Sequence, residues 1–234
     1  MPAEAVQWQR FDRPEALANA LAASVADTLR HALDQRGQAS LVVSGGRTPA
    51  ALFHALSTQS LDWSNVSVIP ADERWVDEDD AQSNAGMIRQ VLLQDCAAHA
   101  RLLSLKQPGA TPEDGLAACS QMLGQLALPL DVVILGMGLD GHTASLFPDA
   151  AELPAALAST APCHALNPSS QPSARISLTP ALLNQARRRI LHIEGDDKRI
   201  VFEAAQAQPQ PLRYPIAMAL ANTLPTPLEV YWSA

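Results

Sequence analysis

Apolar residues recur along this chain in two rhythms that take turns. Over residues 14–36, PEALANALAASVADTLRHALDQR, they return at helical spacing behind Pro14 and stop before Gly37, which predicts one long helix. Unbroken apolar runs of strand length follow in ASLVVSGG (39–46), VSVIPADE (66–73), LPLDVVILG (128–136) and RRRILHIEG (187–195), each giving way to a polar loop. ARISLTP (174–180) reads as a shorter extended segment. TPAALFHAL opens another helix, with Thr48 expected at its N-cap and Pro49 at its first position. The repeated unit of strand, polar loop and helix predicts an α/β fold, a mainly parallel sheet with helices on both faces. Ligands of such sheets bind beyond the carboxyl ends of the strands. The Pro-rich stretches at 108–112, 162–172 and 208–215 read as surface loops or connections to a small lobe. Residues 1–234 are therefore expected to form a single folding unit.

The residues just after the strands carry the candidate chemistry. SGGRTP places Ser44, Gly45, Gly46, Arg47 and Thr48 between a strand end and a helix start, where glycine backbone and free N–H groups suit a phosphate. No GKS or GKT follows, so this is not the glycine loop of mononucleotide kinases. ADERW puts Asp72, Glu73 and Arg74 on the same sheet edge; Arg74 has the fork geometry to grip a carboxylate or phosphate, while Glu73 reads as a local ion pair that ties the loop down. The DEDD that follows is a solvated acidic turn, and no spacing calls for a metal on Asp72 and Asp140.

The sharpest signal is GMGLDGHTASLFP at 136–148. Asp140 and His142 stand two apart, Gly138 and Gly141 relieve the turn, and Thr143 with Ser145 reads as the approach to a helix start. A neutral imidazole beyond a buried strand can take a proton from water, as a general base must. His31, His54, His99, His164 and His192 read as structural. Arg175 and Lys198, each beside an extended segment, supply positive charge for an anionic ligand.

Composition narrows the partners. With 16 Lys and Arg against 24 Asp and Glu the formal charge is −8, which argues against nucleic acid and anionic membrane but permits a small anion in one basic cleft. Three widely spaced cysteines without CxxC suggest neither a disulfide framework nor a zinc site. MPAEAVQWQRF lacks the basic and apolar pattern of a leader, and no apolar run reaches membrane-span length, so a cytoplasmic protein is expected.

Taken in order, SGGRTP, ADERWV, SNAGMIR, GMGLDGHTASLFP, RISLTP and GDDK resemble the 6-phosphogluconolactonase family over roughly residues 40–200. The resemblance implies a Rossmann-like fold and a soluble hydrolase of the oxidative pentose phosphate pathway that needs no metal or cofactor. It implies His142 as the base, with Asp140 orienting it. Arg74, Arg175 and the 44–48 loop would surround the substrate and its phosphate, with Asp72, Asn84, Gly138 and Lys198 of the matched motifs joining them. Arg47 departs from the serine that many relatives carry. A small sugar-phosphate lactone is the implied partner, and the chain is expected to be a monomer or weak homodimer. Glucosamine-6-phosphate deaminase or isomerase is the neighbouring alternative, but its DGH is followed by a segment like IAFNEP bearing a carboxylate, whereas TASLFP has none before Asp149. A sugar-phosphate sensor without catalysis would not need His142.

Overall fold

The computed structural model describes residues 6–46, 48–221, 224 and 226–234. The expected Arg47 contribution and residues 1–5, 222, 223 and 225 lie outside the described residues. In chain order the elements are β1 (Val6–Phe11), α1 (Pro14–Arg36), β2 (Ala39–Val43), α2 (Ala50–Ser57), β3 (Val66–Pro70), β4 (Asp72–Arg74), α3 (Asn84–Met87), β5 (Arg101–Leu102) and α4 (Pro112–Leu123). They continue as β6 (Leu130–Leu135), α5 (Leu153–Ala158), β7 (Cys163–Leu166), β8 (Arg175–Leu178), α6 (Pro180–Leu183), β9 (Ala186–Glu194), α7 (Asp196–Ala207) and β10 (Leu228–Ser233).

The long helix has the predicted ends. Pro14 occupies its first turn, where a missing N–H is no loss, and Gly37 closes it at φ 69° while its N–H donates to Leu33 O at 2.8 Å. Leu17, Leu21, Val25 and Leu29 form the buried stripe of α1. That stripe packs with Leu52, Phe53 and Leu56 of α2 onto one face of the main sheet, against Leu41, Val43, Val68, Val132 and Ile134. The opposite face of the sheet presents Val42, Ile69, Val133, Leu135, Leu191 and Ile193 to Cys119 and Leu123 of α4 and Phe202 of α7. Alternation along each strand thus fills two cores, one per face. Cys119 and Cys163 are buried and Cys96 exposed, all as free thiols.

The main sheet has seven parallel strands in the order β1-β10-β9-β6-β2-β3-β5. From β2 the chain winds outward through β3 to β5, then returns to the other side of β2 and winds through β6 and β9 to β10. The direction reverses between β2 and β6, which places a crevice beyond their carboxyl ends. This is the doubly wound α/β architecture expected from the alternating pattern.

Three local expectations give way. VSVIPADE is not one strand: Ala71 donates to Val43 O at 2.8 Å and accepts from Leu178 N at 2.9 Å, so the chain leaves the main sheet there and enters a second, antiparallel sheet ordered β4-β8-β7. This small sheet is the lobe that the sequence left open, and Asp72, Glu73 and Arg74 lie within it rather than in a loop. Thr48 does not cap α2, which starts at Ala50 with Pro49 at the N-cap. Thr143 and Ser145 begin no helix; Thr143 pairs with Leu146 in a bridge, and Ala144 between them takes φ 48°.

Candidate active site

The loops leaving β2 and β6 are stitched together at the crevice. Ser44 N–H donates to Ile134 O at 3.1 Å, and its hydroxyl accepts from Gly136 N–H at 3.1 Å. The side chain of Ser44 is thereby committed to joining two strands, so it presents mainly backbone to a ligand. Gly45 follows because nothing larger fits: a Cβ there would stand 1.9 Å from Oδ1 of Asn84. Asn84, buried at the start of α3, donates through Nδ2 to Asp72 O at 2.8 Å and Asp72 Oδ1 at 3.2 Å. Loop 44–46, α3 and β4 are locked into one wall.

That wall borders a cavity of about 300 Å³. Of the expected residues, Ser44, Gly45, Gly46, Thr48, Asp72 and Arg74 line it. Asn84, Gly138, His142, Arg175 and Lys198 line it as well. Asp140 is not in the lining and stands behind His142. Lys198 comes from the first turn of α7, not from the end of a strand.

His142 and Asp140 form a hydrogen-bonded pair: Nδ1 lies 2.6 Å from Asp140 Oδ1, which also accepts from the His142 backbone N–H at 3.1 Å. An ionised carboxylate accepts only, so it holds the proton on Nδ1 and leaves Nε2 with the lone pair. Burial pushes the Asp140 carboxyl up, but the hydrogen bonds and charge of His142 outweigh it and hold the group below the usual aspartate range. Gly138 makes room for the pair, since a Cβ at that position would lie 2.2 Å from Cε1 of His142 and 2.7 Å from Asp140 Oδ1.

The second sheet contributes the two arginines. In the β4–β8 register Arg74 is opposite Arg175, and Asp72 is opposite Ser177. Two guanidiniums side by side repel each other, an arrangement that suits an anion shared between them. Arg175 is buried; its Nη2 donates to Gln171 Oε1 at 2.8 Å, and Nη1 lies 3.7 Å from Asp72 Oδ2. Its Nε and that of Arg74 are buried without a hydrogen bond from the described residues. Desolvation lowers the Arg175 pKa, with Asp72 opposing and Arg74 adding to the shift.

Glu73 is not the ion pair expected of it. Its carboxylate accepts from the backbone N–H groups of Arg74 and Asn84 at 2.8 Å and Ala85 at 2.7 Å, fastening the start of α3. Burial nevertheless pushes its carboxyl above the usual glutamate range.

Four residues of the site escaped the sequence reading. Phe147 stacks on His142, Ser145 donates its hydroxyl to Asp72 Oδ2, and Gln171 holds Arg175. His192, read as structural, lines the cavity from β9. Phe147 and Ser145 sat inside the histidine motif, yet only tertiary contacts reveal what they touch.

The chain matches the family model described as glucosamine-6-phosphate isomerases/6-phosphogluconolactonase over residues 12–232. It is 45% identical to the 6-phosphogluconolactonase of Pseudomonas aeruginosa over 92% of this chain and 90% of that one. Identity to the 6-phosphogluconolactonase of Mesorhizobium japonicum is also 45%, covering 97% and 94% respectively. The crystal structure of a 6-phosphogluconolactonase from Shewanella baltica superposes with a TM-score of 0.96 at 43% identity, over the whole of both chains. The chain belongs to the glucosamine-6-phosphate isomerase/6-phosphogluconolactonase family.

Proposed function

We propose that this protein is a 6-phosphogluconolactonase, hydrolysing 6-phospho-D-glucono-1,5-lactone to 6-phospho-D-gluconate in the oxidative pentose phosphate pathway. The observation that carries this reading is the Asp140–His142 pair at 2.6 Å, with its imidazole on the wall of a cavity that Arg74, Arg175, Ser44, Gly45, Gly46 and Thr48 also line. His142 Nε2 takes a proton from water as the oxygen attacks C1 of the lactone. The carbonyl electrons move to an oxyanion, which backbone N–H groups or a guanidinium stabilise. When the intermediate collapses, the bond from C1 to the ring oxygen breaks, and the imidazolium returns its proton to that oxygen. The carboxylic acid product then ionises. General base catalysis supplies about 10²- to 10⁴-fold, and positioning adds to it. The scheme draws on side chains and water.

The family name spans two chemistries, and one residue separates them. The first acid after His142 is Asp149, whose Oδ2 accepts from Ser169 Oγ at 2.7 Å and Ser170 N at 2.6 Å. It is not among the cavity-lining residues. TASLFP thus brings no carboxylate into the described site from the segment just after the histidine, where the deaminase-like IAFNEP carries one. The test is lactone opening measured at fixed pH against the spontaneous rate, beside ammonia release from glucosamine 6-phosphate. Accelerated opening that His142→Ala abolishes, with no ammonia released, is the expected result. Ammonia release, or full turnover by His142→Ala, overturns the assignment.

No helix among the described residues is long and apolar enough to cross a membrane. A cytoplasmic monomer or weak homodimer, binding a small sugar phosphate and no nucleic acid, accords with the acidic composition.

A further inference from the structure

A second imidazole reaches the cavity from β9. His192 pairs in register with Tyr231 of β10, and it lies one residue beyond the Leu135–Leu191 pair, level with Gly136. Leu191 and Ile193 pack on the α4 and α7 face, so His192 projects to the other face, that of Ile190, Tyr231 and α2. Its side chain is 3% exposed and shares the cavity wall with Ser44, Gly45, Thr48 and Lys198.

This ring has no hydrogen-bond partner among the described residues, although Nδ1 and Nε2 are both shut off from bulk water. Glu194 Oε1 is 3.4 Å from Nε2, near enough for charge attraction but outside hydrogen-bond geometry. A buried polar group left in that condition is destabilising, and an apolar residue such as Ile190, two positions earlier on the same face, avoids it. His192 lines the cavity, so a ligand bound there can supply the partner. Around it stand glycine backbone, a helix start and a lysine, a set that selects an anionic oxygen.

We propose that His192 is a specificity-determining residue that binds the phosphate group of the substrate. One ring nitrogen donates to a phosphate oxygen held between Ser44, Gly45, Thr48 and Lys198. The ring then lies between the phosphate and the Glu194 carboxylate, which is 3.4 Å from Nε2, and keeps the two anionic groups apart. The inference rests on the lactonase reading for its substrate, but the phosphate end can be tested apart from the reacting carbonyl.

The experiment compares wild type with His192→Leu and His192→Gln, each checked for folding by circular dichroism. Its readouts are kcat/KM on 6-phosphoglucono-1,5-lactone, kcat/KM on unphosphorylated glucono-1,5-lactone, and calorimetric binding of 6-phosphogluconate. A hydrogen bond to a charged group is worth roughly 10- to 100-fold in affinity. His192→Leu is expected to lower the ratio of the two kcat/KM values about tenfold or more, through KM, and to weaken product binding by a similar factor. His192→Gln, which keeps an N–H donor, recovers part of both, and it carries the test alone if the leucine variant does not fold. An unchanged ratio and unchanged product affinity in the folded variants overturn the proposal. Should wild type bind 6-phosphogluconate yet open no lactone, the activity reading fails, while the binding comparison still decides the role of His192.

Discussion

The imidazole of His142 stacks on the ring of Phe147, with 3.9 Å between centroids and 22° between planes. The guanidinium carbon of Arg175 lies 5.1 Å from the centroid of that same ring. Phe147, itself only 3% exposed, therefore touches both the proposed base and a proposed anion ligand. Removing it releases both side chains together.

Phe147→Leu keeps an apolar side chain but loses both ring contacts, which are worth about 0.5–1.5 kcal/mol for the stacked pair and a comparable amount for the cation. The expected outcome is a fall in kcat/KM of roughly 10- to 100-fold, shared between kcat and KM, because small misplacements of catalytic groups cost that much. Phe147→Tyr retains the ring and should stay near wild type. Steady-state kinetics on both variants checks this; a leucine variant with unaltered kcat would show that the stack does not hold His142.

Gly138 gives a steric prediction of another kind. A methyl group there would occupy the space of the His142 ring at 2.2 Å and of Asp140 Oδ1 at 2.7 Å. Neither group can move without breaking the pair, so Gly138→Ala should lower kcat by about 100-fold or more. Binding of 6-phosphogluconate should change much less, since Arg175 and the 44–48 loop are untouched. Parallel kinetics and calorimetry separate the two effects, and equal losses in both would place Gly138 in ligand binding.

The main elements were legible where local chemistry determines them. Pro14 and Gly37 bound α1 as written, and the polar residues after β2 and β6 do meet at the reversal of strand order. What local sequence cannot show is pairing between distant segments. Ala71 looks like the interior of a strand, yet its carbonyl bonds to Leu178, 107 positions away as the difference of the two residue numbers, and this transfers the chain to the second sheet. Glu73 looked like an ion pair because the backbone N–H groups it accepts from belong to residues 84 and 85, far along the chain. His192 looked structural because a histidine in an apolar strand carries no sign of whether its nitrogens find partners. The edge strand β1 and its neighbour β10 were missed since VQWQRF mixes exposed and buried positions and LEVYWS mixes half-buried and buried ones.

Acid sensitivity tests the Asp140–His142 pair. The Asp140 carboxyl is held below its ordinary value of about 3.8 in the folded protein. A carboxyl with a depressed folded pKa adds stability above its unfolded pKa and loses it as pH falls through the folded one. Wild type should accordingly exceed Asp140→Asn in Tm at about pH 5, with the margin shrinking below about pH 4. Both residues are partly solvated, so the margin is small. At neutral pH the same variant should lose kcat, because asparagine no longer fixes the proton on Nδ1. A margin that persists undiminished below about pH 3 would contradict the pairing.

Arg175 offers the clearest separation of binding from catalysis. It stands beside Arg74 in the β4–β8 register, and its Nε is buried without a hydrogen bond from the described residues, while Asp72 compensates part of its charge at 3.7 Å. A bound phosphate or carboxylate would answer both the open donor and the repulsion between the guanidiniums. Arg175→Ala should raise KM and weaken 6-phosphogluconate binding by about tenfold or more, with kcat falling less. The variant also leaves Asp72 buried with Ser145 and Asn84 but no cation, so a lower Tm is expected. Arg175→Lys restores the charge without the fork, and should recover Tm more fully than affinity, because a lysine cannot make the bidentate contact. If lysine restored both equally, charge alone would suffice and the planar fork would have no part in recognition.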